Sequence, residues 1–191
     1  MRTLPMAFLT AMLAVGAVRA GGVEVDFNPK ADFDRYRTWA FMPGLDQGQR
    51  GVLADATMRA RVQKALAIRL GDAGLHAAAP DAKPDLLVTY RGDTGTGKEV
   101  ATSMGGYRSW DDPEHMTIKF TEQTATLMVD LVDAATNSLA WRLYIDQTMK
   151  GPTDPPDKLQ RALDKGFAKY PPSASAIAKK ARQLEKGSGS K

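Results

Sequence analysis

Cysteine is absent from the 191 residues, and histidine occurs only twice, as His76 and His115. The first absence excludes disulfide staples, thiolate metal centres, cysteine nucleophiles and lipid attachment through a thiol. The second leaves metal and proton-relay chemistry thinly supplied with imidazole. No Gly-x-Ser-x-Gly elbow occurs, so serine hydrolysis on that design is excluded as well. Aromatic residues make up 7% of the chain, few enough that each one recurring at strand or helix spacing is first a candidate for the core. No repeat of solenoid length is visible. What is there is the balance of an ordinary globular protein, 43% apolar and 25% charged, which argues against a disordered, fibrous or multi-span membrane chain. The length suits one domain with some surplus.

The surplus lies at the two ends. Met1-Arg2-Thr3 precedes an apolar run from Leu4 to Val18, broken only by Pro5, Thr10 and Gly16. One positive charge, a short greasy core and a small-residue exit are the parts of a secretory signal peptide. The run is too short to span a bilayer, which takes about 20 apolar residues, so the chain does not read as a transmembrane protein. Val18-Arg19-Ala20 sets the expected cut after Ala20, with Val15-Gly16-Ala17 as the second choice. Residues 1–20 are therefore read as a signal peptide and the mature chain as periplasmic or secreted. Loss of Arg2 and Arg19 lowers the formal net charge from +4 to +2. From Lys165 to Lys191 seven basic residues face Glu185 alone, so the mature body before them is mildly acidic. Such a tail suits an anionic membrane surface, peptidoglycan or an envelope protein, and nucleic acid is not a partner for an exported chain.

Val23, Val25 and Phe27 alternate with Glu24, Asp26 and Asn28, the period of a half-buried strand ended by Asn28-Pro29. Phe33 and Tyr36 sit a turn apart, and Trp39 and Phe41 then alternate as a second strand would. Met58, Val62, Leu66 and Leu70 recur every four residues with Ala65 beside them, while Arg59, Arg61, Lys64 and Arg69 take the other face. That is an amphipathic helix, stopped by Gly71 and Gly74. Leu86 to Tyr90 reads as a strand and Arg91 to Glu114 as a long connection. Thr117 to Val132 is β-rich, and Leu139, Trp141, Leu143 and Ile145 return as its hairpin partner after the turn Asp133 to Ser138. Asp154 caps a second helix with Pro155 at its first position, Leu159, Leu163 and Phe167 line one face, and Pro171-Pro172 ends it. Ile177, Ala181 and Leu184 mark a thin apolar stripe on a basic helix that finishes in Gly187-Ser188-Gly189-Ser190-Lys191. These elements predict a single α+β domain over residues 21–172: a mostly antiparallel sheet of four to five strands packed on one face by two helices. A basic helical or flexible tail follows over residues 173–191.

Together these segments carry a resemblance. Val25-Asp26-Phe27-Asn28-Pro29-Lys30-Ala31-Asp32-Phe33, followed by Tyr36-Arg37-Thr38-Trp39, resembles the opening signature of a bacterial cell-envelope family known as domain-of-unknown-function family 4136. The likeness continues through Pro84 to Tyr90, Val129 to Asp133, Trp141-Arg142 and the closing Tyr170-Pro171-Pro172. It implies an exported protein, in many members a lipoprotein, with no established catalytic residues. This sequence lacks the lipobox cysteine, which implies a soluble periplasmic form, and it carries Leu143 where relatives tend to have glycine after the Trp-Arg pair.

Four motifs invite a chemical reading, and each has a plainer one. Gly92-Asp93-Thr94-Gly95-Thr96-Gly97-Lys98-Glu99 has phosphate-loop spacing, but Glu99 stands where magnesium needs a hydroxyl and no helix follows, so it reads as a flexible Gly-rich loop. Trp110-Asp111-Asp112-Pro113-Glu114-His115 gathers three carboxylates and an imidazole and would make a weak calcium or zinc site, yet the calcium-loop pattern is missing and a solvated loop fits better. Asp26, Asp130, Asp133 and Asp146 are the strand carboxylates from which an envelope-polymer hydrolase would draw an acid/base pair. Asp133 suits the hairpin turn, and Asp130 and Asp146 suit a polar sheet face. His76, just past a helix end, is simply favourable there. Tyr36, Trp39, Tyr90, Trp141 and Tyr144 would form an aromatic platform for a glycan or peptide unless they are core. The expectation is a non-enzymatic binding or assembly module without cofactor, metal site or assigned catalytic residue.

Overall fold

A computed structural model of the chain describes residues 22–46, 49, 51–94, 100–101, 117–118, 125–146 and 156–188. The signal-peptide reading of residues 1–20 falls outside them. The strands are β1 (Val23–Phe27), β2 (Thr38–Phe41), β3 (His76–Ala77), β4 (Leu86–Thr94), β5 (Val100–Ala101), β6 (Thr117–Ile118), β7 (Ala125–Asp133) and β8 (Ser138–Asp146). The helices are α1 (Ala56–Asp72), α2 (Pro156–Phe167) and α3 (Ala174–Ser188), and the single turn Phe33–Arg35 is a 3-10 helix.

The main sheet runs in the order β1-β8-β7-β4-β2-β3, and β5 and β6 pair apart from it. β1, β8, β7 and β4 are antiparallel in succession, whereas β2 lies parallel to both β4 and β3. The sheet is thus mixed and six-stranded, which corrects the expected four to five mostly antiparallel strands, and three α-helices stand among the described residues. The reason is the connection through α1. A tight turn reverses a strand, but a helix-long crossover carries the chain back to the end it left, so the next strand enters parallel. β3 has two residues, too few to show a period. β4 also continues to Thr94, into residues read as loop, because Gly92 pairs with Leu127 and is buried against Leu53.

Register makes one face apolar. Val23, Val25 and Phe27 oppose Ile145, Leu143 and Trp141, which oppose Leu127, Val129 and Leu131, and Val129 and Leu131 in turn oppose Tyr90 and Val88. α1 covers this face with Met58, Val62, Ala65, Leu66 and Leu70, all buried, and α2 with Leu159, Ala162, Leu163 and Phe167. Each such leucine taken fully out of water contributes about 1.5–3 kcal/mol. The α1 start is fixed by Asp55, whose carboxylate accepts the Met58 N–H at 2.9 Å. Its end is fixed by Gly74 at φ 81°, a left-handed conformation that suits glycine. α2 presses on β8 so closely that a Cβ at Gly166 would stand 2.4 Å from Leu143 Cδ1. The strand carries Leu143 and the helix supplies the glycine.

α3 lies against β1, the edge strand. Ile177 packs on the core, and Lys180 pairs with Asp26 while its Nζ stands 5.3 Å from the centroid of the Phe27 ring. Burial pulls the Lys180 ammonium down to about 8. Lys179, Arg182 and Lys186 remain exposed. Among the described residues no helix is long and apolar enough to cross a membrane.

Candidate functional site

The four strand carboxylates are the first groups to place. Asp130 stands directly across the β7–β8 ladder from Arg142, which grips it with Nε at 2.6 Å and Nη2 at 2.9 Å. The residues are 1% and 4% exposed, so the pair is out of water. Arg91 on β4 reaches the same carboxylate at 3.5 Å and the Met128 sulfur at 3.3 Å. Buried charges persist when paired in this bidentate way.

Asp133, three residues on, faces the opposite side by strand alternation. Its Oδ1 accepts the N–H groups of Ala135 at 2.8 Å and Thr136 at 3.0 Å, the turn role expected of it. Its Oδ2 accepts the Tyr36 hydroxyl at 2.9 Å and pairs with Arg35. Burial works against the charged carboxyl, but the donors from Thr136, Tyr36 and Ala135, with the Arg35 charge, hold it below its usual value. Burial, and donation to that carboxylate, push the Tyr36 phenol up. Asp26 is tied to Lys180. Asp26, Asp130 and Asp133 are therefore each paired with a cation; Asp26 and Asp130 flank Arg142 in the ladder, whereas Asp133 lies at the β7 end with Tyr36 and Arg35. The Asp146 side chain lies outside the described residues.

Two open clefts meet at Tyr36. One, of about 250 Å³, includes Lys30, Asp32, Arg35, Asp133 and Ser138 in its lining. The other, of about 400 Å³, lies among Phe33, Asp34, Arg37, Leu75, Tyr170 and Pro171. Phe33 meets Tyr36 and Tyr170 edge to face at 6.0 and 5.9 Å, and Tyr170 meets Trp141 at 5.6 Å. The Tyr170 hydroxyl and the Trp141 indole N–H are buried without a hydrogen-bond partner among the described residues. Burial raises the Tyr170 phenol, opposed in part by the nearby Arg37. Arg37 donates through Nη1 to the Tyr36 carbonyl at 2.8 Å. Asp85 accepts the backbone N–H groups of Arg37 and Thr38 and the Thr38 hydroxyl, each at 2.9 Å, and those donors hold its carboxyl below its ordinary value.

The remaining candidates fare differently. Tyr36, Trp39, Tyr90 and Trp141 are buried, so four of the five aromatics form core and not a platform; Tyr144, paired in the ladder with Glu24 and Met128, is half-buried on the other face. His76 is exposed on β3. Residues 95–99 of the Gly-rich motif and the cluster 110–115 lie outside the described residues, among which no group of three or more metal-ligating side chains gathers. Sequence reasoning missed Arg35, Asp85 and Lys180 as partners. A signal for Asp85 was already present, since it sits inside a segment that carried the family resemblance, whereas Arg35 falls between two of them.

Those segments meet in space. Phe33, Tyr36, Asp85, Asp133, Trp141 and Tyr170 tie the β1–β2 connection to the ends of β4, β7 and β8. A DUF4136 family protein from Bacteroides thetaiotaomicron has the same architecture, with a TM-score of 0.55 at 14% identity over 79% of this chain and 96% of that one. A PDZ domain protein from Parabacteroides distasonis gives 0.51 at 14% identity over 82% of this chain and 37% of that one. At such identities the likeness speaks for the fold alone. No curated protein matches the sequence. The family model for the domain of unknown function DUF4136 matches residues 23–172, the stretch in which these contacts are made, and the chain belongs to that family.

Proposed function

We propose that the mature chain is an exported, periplasmic module of the cell envelope that binds or assembles and does not catalyse. The observation that carries this reading is the internal use of its polar side chains. Asp26, Asp130 and Asp133 are each neutralised by a cation of the same fold, whereas an acid/base catalyst needs a titrating group within reach of substrate. Tyr36 and Asp85, in segments that carry the family resemblance, hold strands together through Asp133 and through Arg37 and Thr38. Export is supported by the charged start, the apolar run Leu4 to Val18 and the small-residue exit at Ala20. The element proposed to meet an anionic partner is α3, which lies wholly beyond the family match and exposes Lys179, Arg182 and Lys186.

Crosslinking in intact cells, with identification of what is captured, tests the reading. The expected result is an envelope component crosslinked to a periplasmic chain that begins at Gly21. A chain that keeps Met1 in a cytosolic fraction overturns export, and turnover of purified peptidoglycan overturns the non-catalytic role. Deleting Ser173 to Lys191 is expected to weaken attachment to envelope fractions at low salt more than at physiological salt. Attachment that does not change removes α3 from the proposal.

A further inference from the structure

We infer that the outer edge of β1 accepts an extended protein segment in which apolar and basic residues alternate, added to the six-stranded sheet as a further strand. The inference concerns the folded body, goes beyond the envelope reading, and needs neither export nor the exposed cations of α3.

The ladder with β8 fixes which backbone groups face outward. The Asn28 N–H donates to the Ala140 carbonyl at 2.8 Å, so in this antiparallel ladder the hydrogen-bonded pairs continue as Asp26 with Arg142 and Glu24 with Tyr144. Val23, Val25 and Phe27 therefore turn their backbone groups away from β8. The Phe27 N–H is taken by Asp26 Oδ1 at 3.0 Å. Among the described residues nothing pairs with the N–H and C=O groups of Val23 and Val25. An open row of this kind is a template for another strand.

Side chains select the occupant. Val23, Val25 and Phe27 point to the face that the helices cover, and Glu24 and Asp26 to the other. A second copy brought in by a twofold axis pairs antiparallel, outward residue against outward residue, so the acids of one copy face the acids of the other. A segment that alternates basic with apolar residues sets a cation across from each acid and extends the apolar surface on the opposite face. The chain already places one cation there. Asp26 and Phe27 direct their side chains to opposite faces, yet the Lys180 ammonium pairs with the first and stands 5.3 Å from the ring centroid of the second. With β8 on the inner side, it reaches both only across the outer edge. The rest of the hold is narrow: Ile177 and Ala181 are half-buried and Leu184 is exposed, so a basic segment has one ammonium to displace.

Hydrogen exchange at the Val25 amide of the full chain, with and without a blocked heptapeptide of alternating valine and lysine, tests the assignment. Fast exchange is expected alone, slowed by roughly tenfold or more at saturation, with a dissociation constant on the order of 1 mM. The same peptide with glutamate for lysine should bind at least about tenfold more weakly. So should the lysine peptide N-methylated on the backbone nitrogens that face β1, which keeps its charge but cannot donate to a ladder. Lys180→Gln is expected to tighten binding by roughly threefold, and Asp26→Asn to narrow the preference for lysine over glutamate by a similar factor. Equal binding of the methylated peptide overturns strand addition, and equal binding of the glutamate peptide overturns the basic partner. A Val25 amide already protected without peptide overturns the open edge, and protection that grows with protein concentration alone assigns the edge to a second copy instead.

Discussion

At β7 the two faces of the central sheet are both buried, but by unlike chemistry, and the contrast runs within one strand. Toward α1 and α2 it presents Leu127, Val129 and Leu131; on the other face it presents Met128 and Asp130, the latter held by Arg142 and Arg91. Apolar burial is non-directional and accumulates with area, so that face tolerates gradual change. A buried ion pair is all-or-none: intact it is near break-even against apolar residues of similar size, and broken it leaves a bare charge. The sharpest way to break the comparison is Asp130→Ala, expected to cost about 3–5 kcal/mol in denaturant unfolding because Arg142 loses its bidentate partner. Replacing the pair as Asp130→Leu with Arg142→Met should recover most of that loss. A double variant as unstable as the single one would show that Arg142 matters through something other than its charge.

The apolar face has its own sharp point. Gly166→Ala would gain about 1 kcal/mol of helix propensity, yet the added methyl meets a leucine side chain that is wholly buried and has nowhere to move. Overpacking should prevail, with a net loss of about 1–2 kcal/mol by thermal or denaturant unfolding. In a Leu143→Ala background the same substitution should become neutral or stabilising, because the clash disappears with the leucine. Additive losses would mean that α2 shifts bodily instead of pressing on Leu143.

How much of this was legible follows from range. Periods of two and of about four residues are local, and they correctly announced β1, α1, the Leu159-Leu163-Phe167 face of α2 and the β7–β8 hairpin from Ala125 on, whereas Thr117–Ile118, read as part of the same strand, pairs with β5 in a separate sheet. The polar orientation of Asp130 was readable from alternation, but its burial was not, because alternation gives a face and not what covers it. The parallel entry of β4 beside β2 depends on where α1 packs, and β3 exists only because the chain beyond α1 is caught by β2, His76 N–H donating to the Arg37 carbonyl at 2.8 Å. The Tyr36 to Asp133 bond joins residues 97 apart, and no spacing rule reaches that far. The family-like segments were visible as sequence, and the structure gives the physical reason for their company: each supplies one side of a contact that closes the same end of the sheet.

That end invites a smaller test. Tyr36→Phe removes the hydroxyl from Asp133 and should cost about 1–2 kcal/mol at neutral pH, the worth of a buried hydrogen bond to a charged acceptor. Asp133 and Asp85 both have folded pKa values below 3.8, so the unfolded chain binds their protons more readily. Their contribution to stability is fully present above about pH 4 and is lost as pH falls through the folded values. Tyr36→Phe should therefore shrink the acid-side loss as well as the neutral stability. An unchanged slope below pH 4 would place the acid sensitivity elsewhere.

Tyr170→Phe is the counterpart, and the smallest expected effect. The two tyrosines share an aromatic cluster through Phe33, and both hydroxyls are buried, but the one on Tyr170 has no partner among the described residues. A buried unsatisfied hydroxyl costs free energy that its removal returns, while the ring contacts with Phe33 and Trp141 stay as they are. Stability should therefore be unchanged or rise by up to about 1 kcal/mol, against the clear loss at Tyr36. The comparison fixes the sign by whether the hydroxyl is bonded, since burial and ring packing are nearly matched. A loss at Tyr170 equal to that at Tyr36 would mean that its hydroxyl does find an acceptor in solution, most simply an ordered water shared with the Trp141 indole N–H.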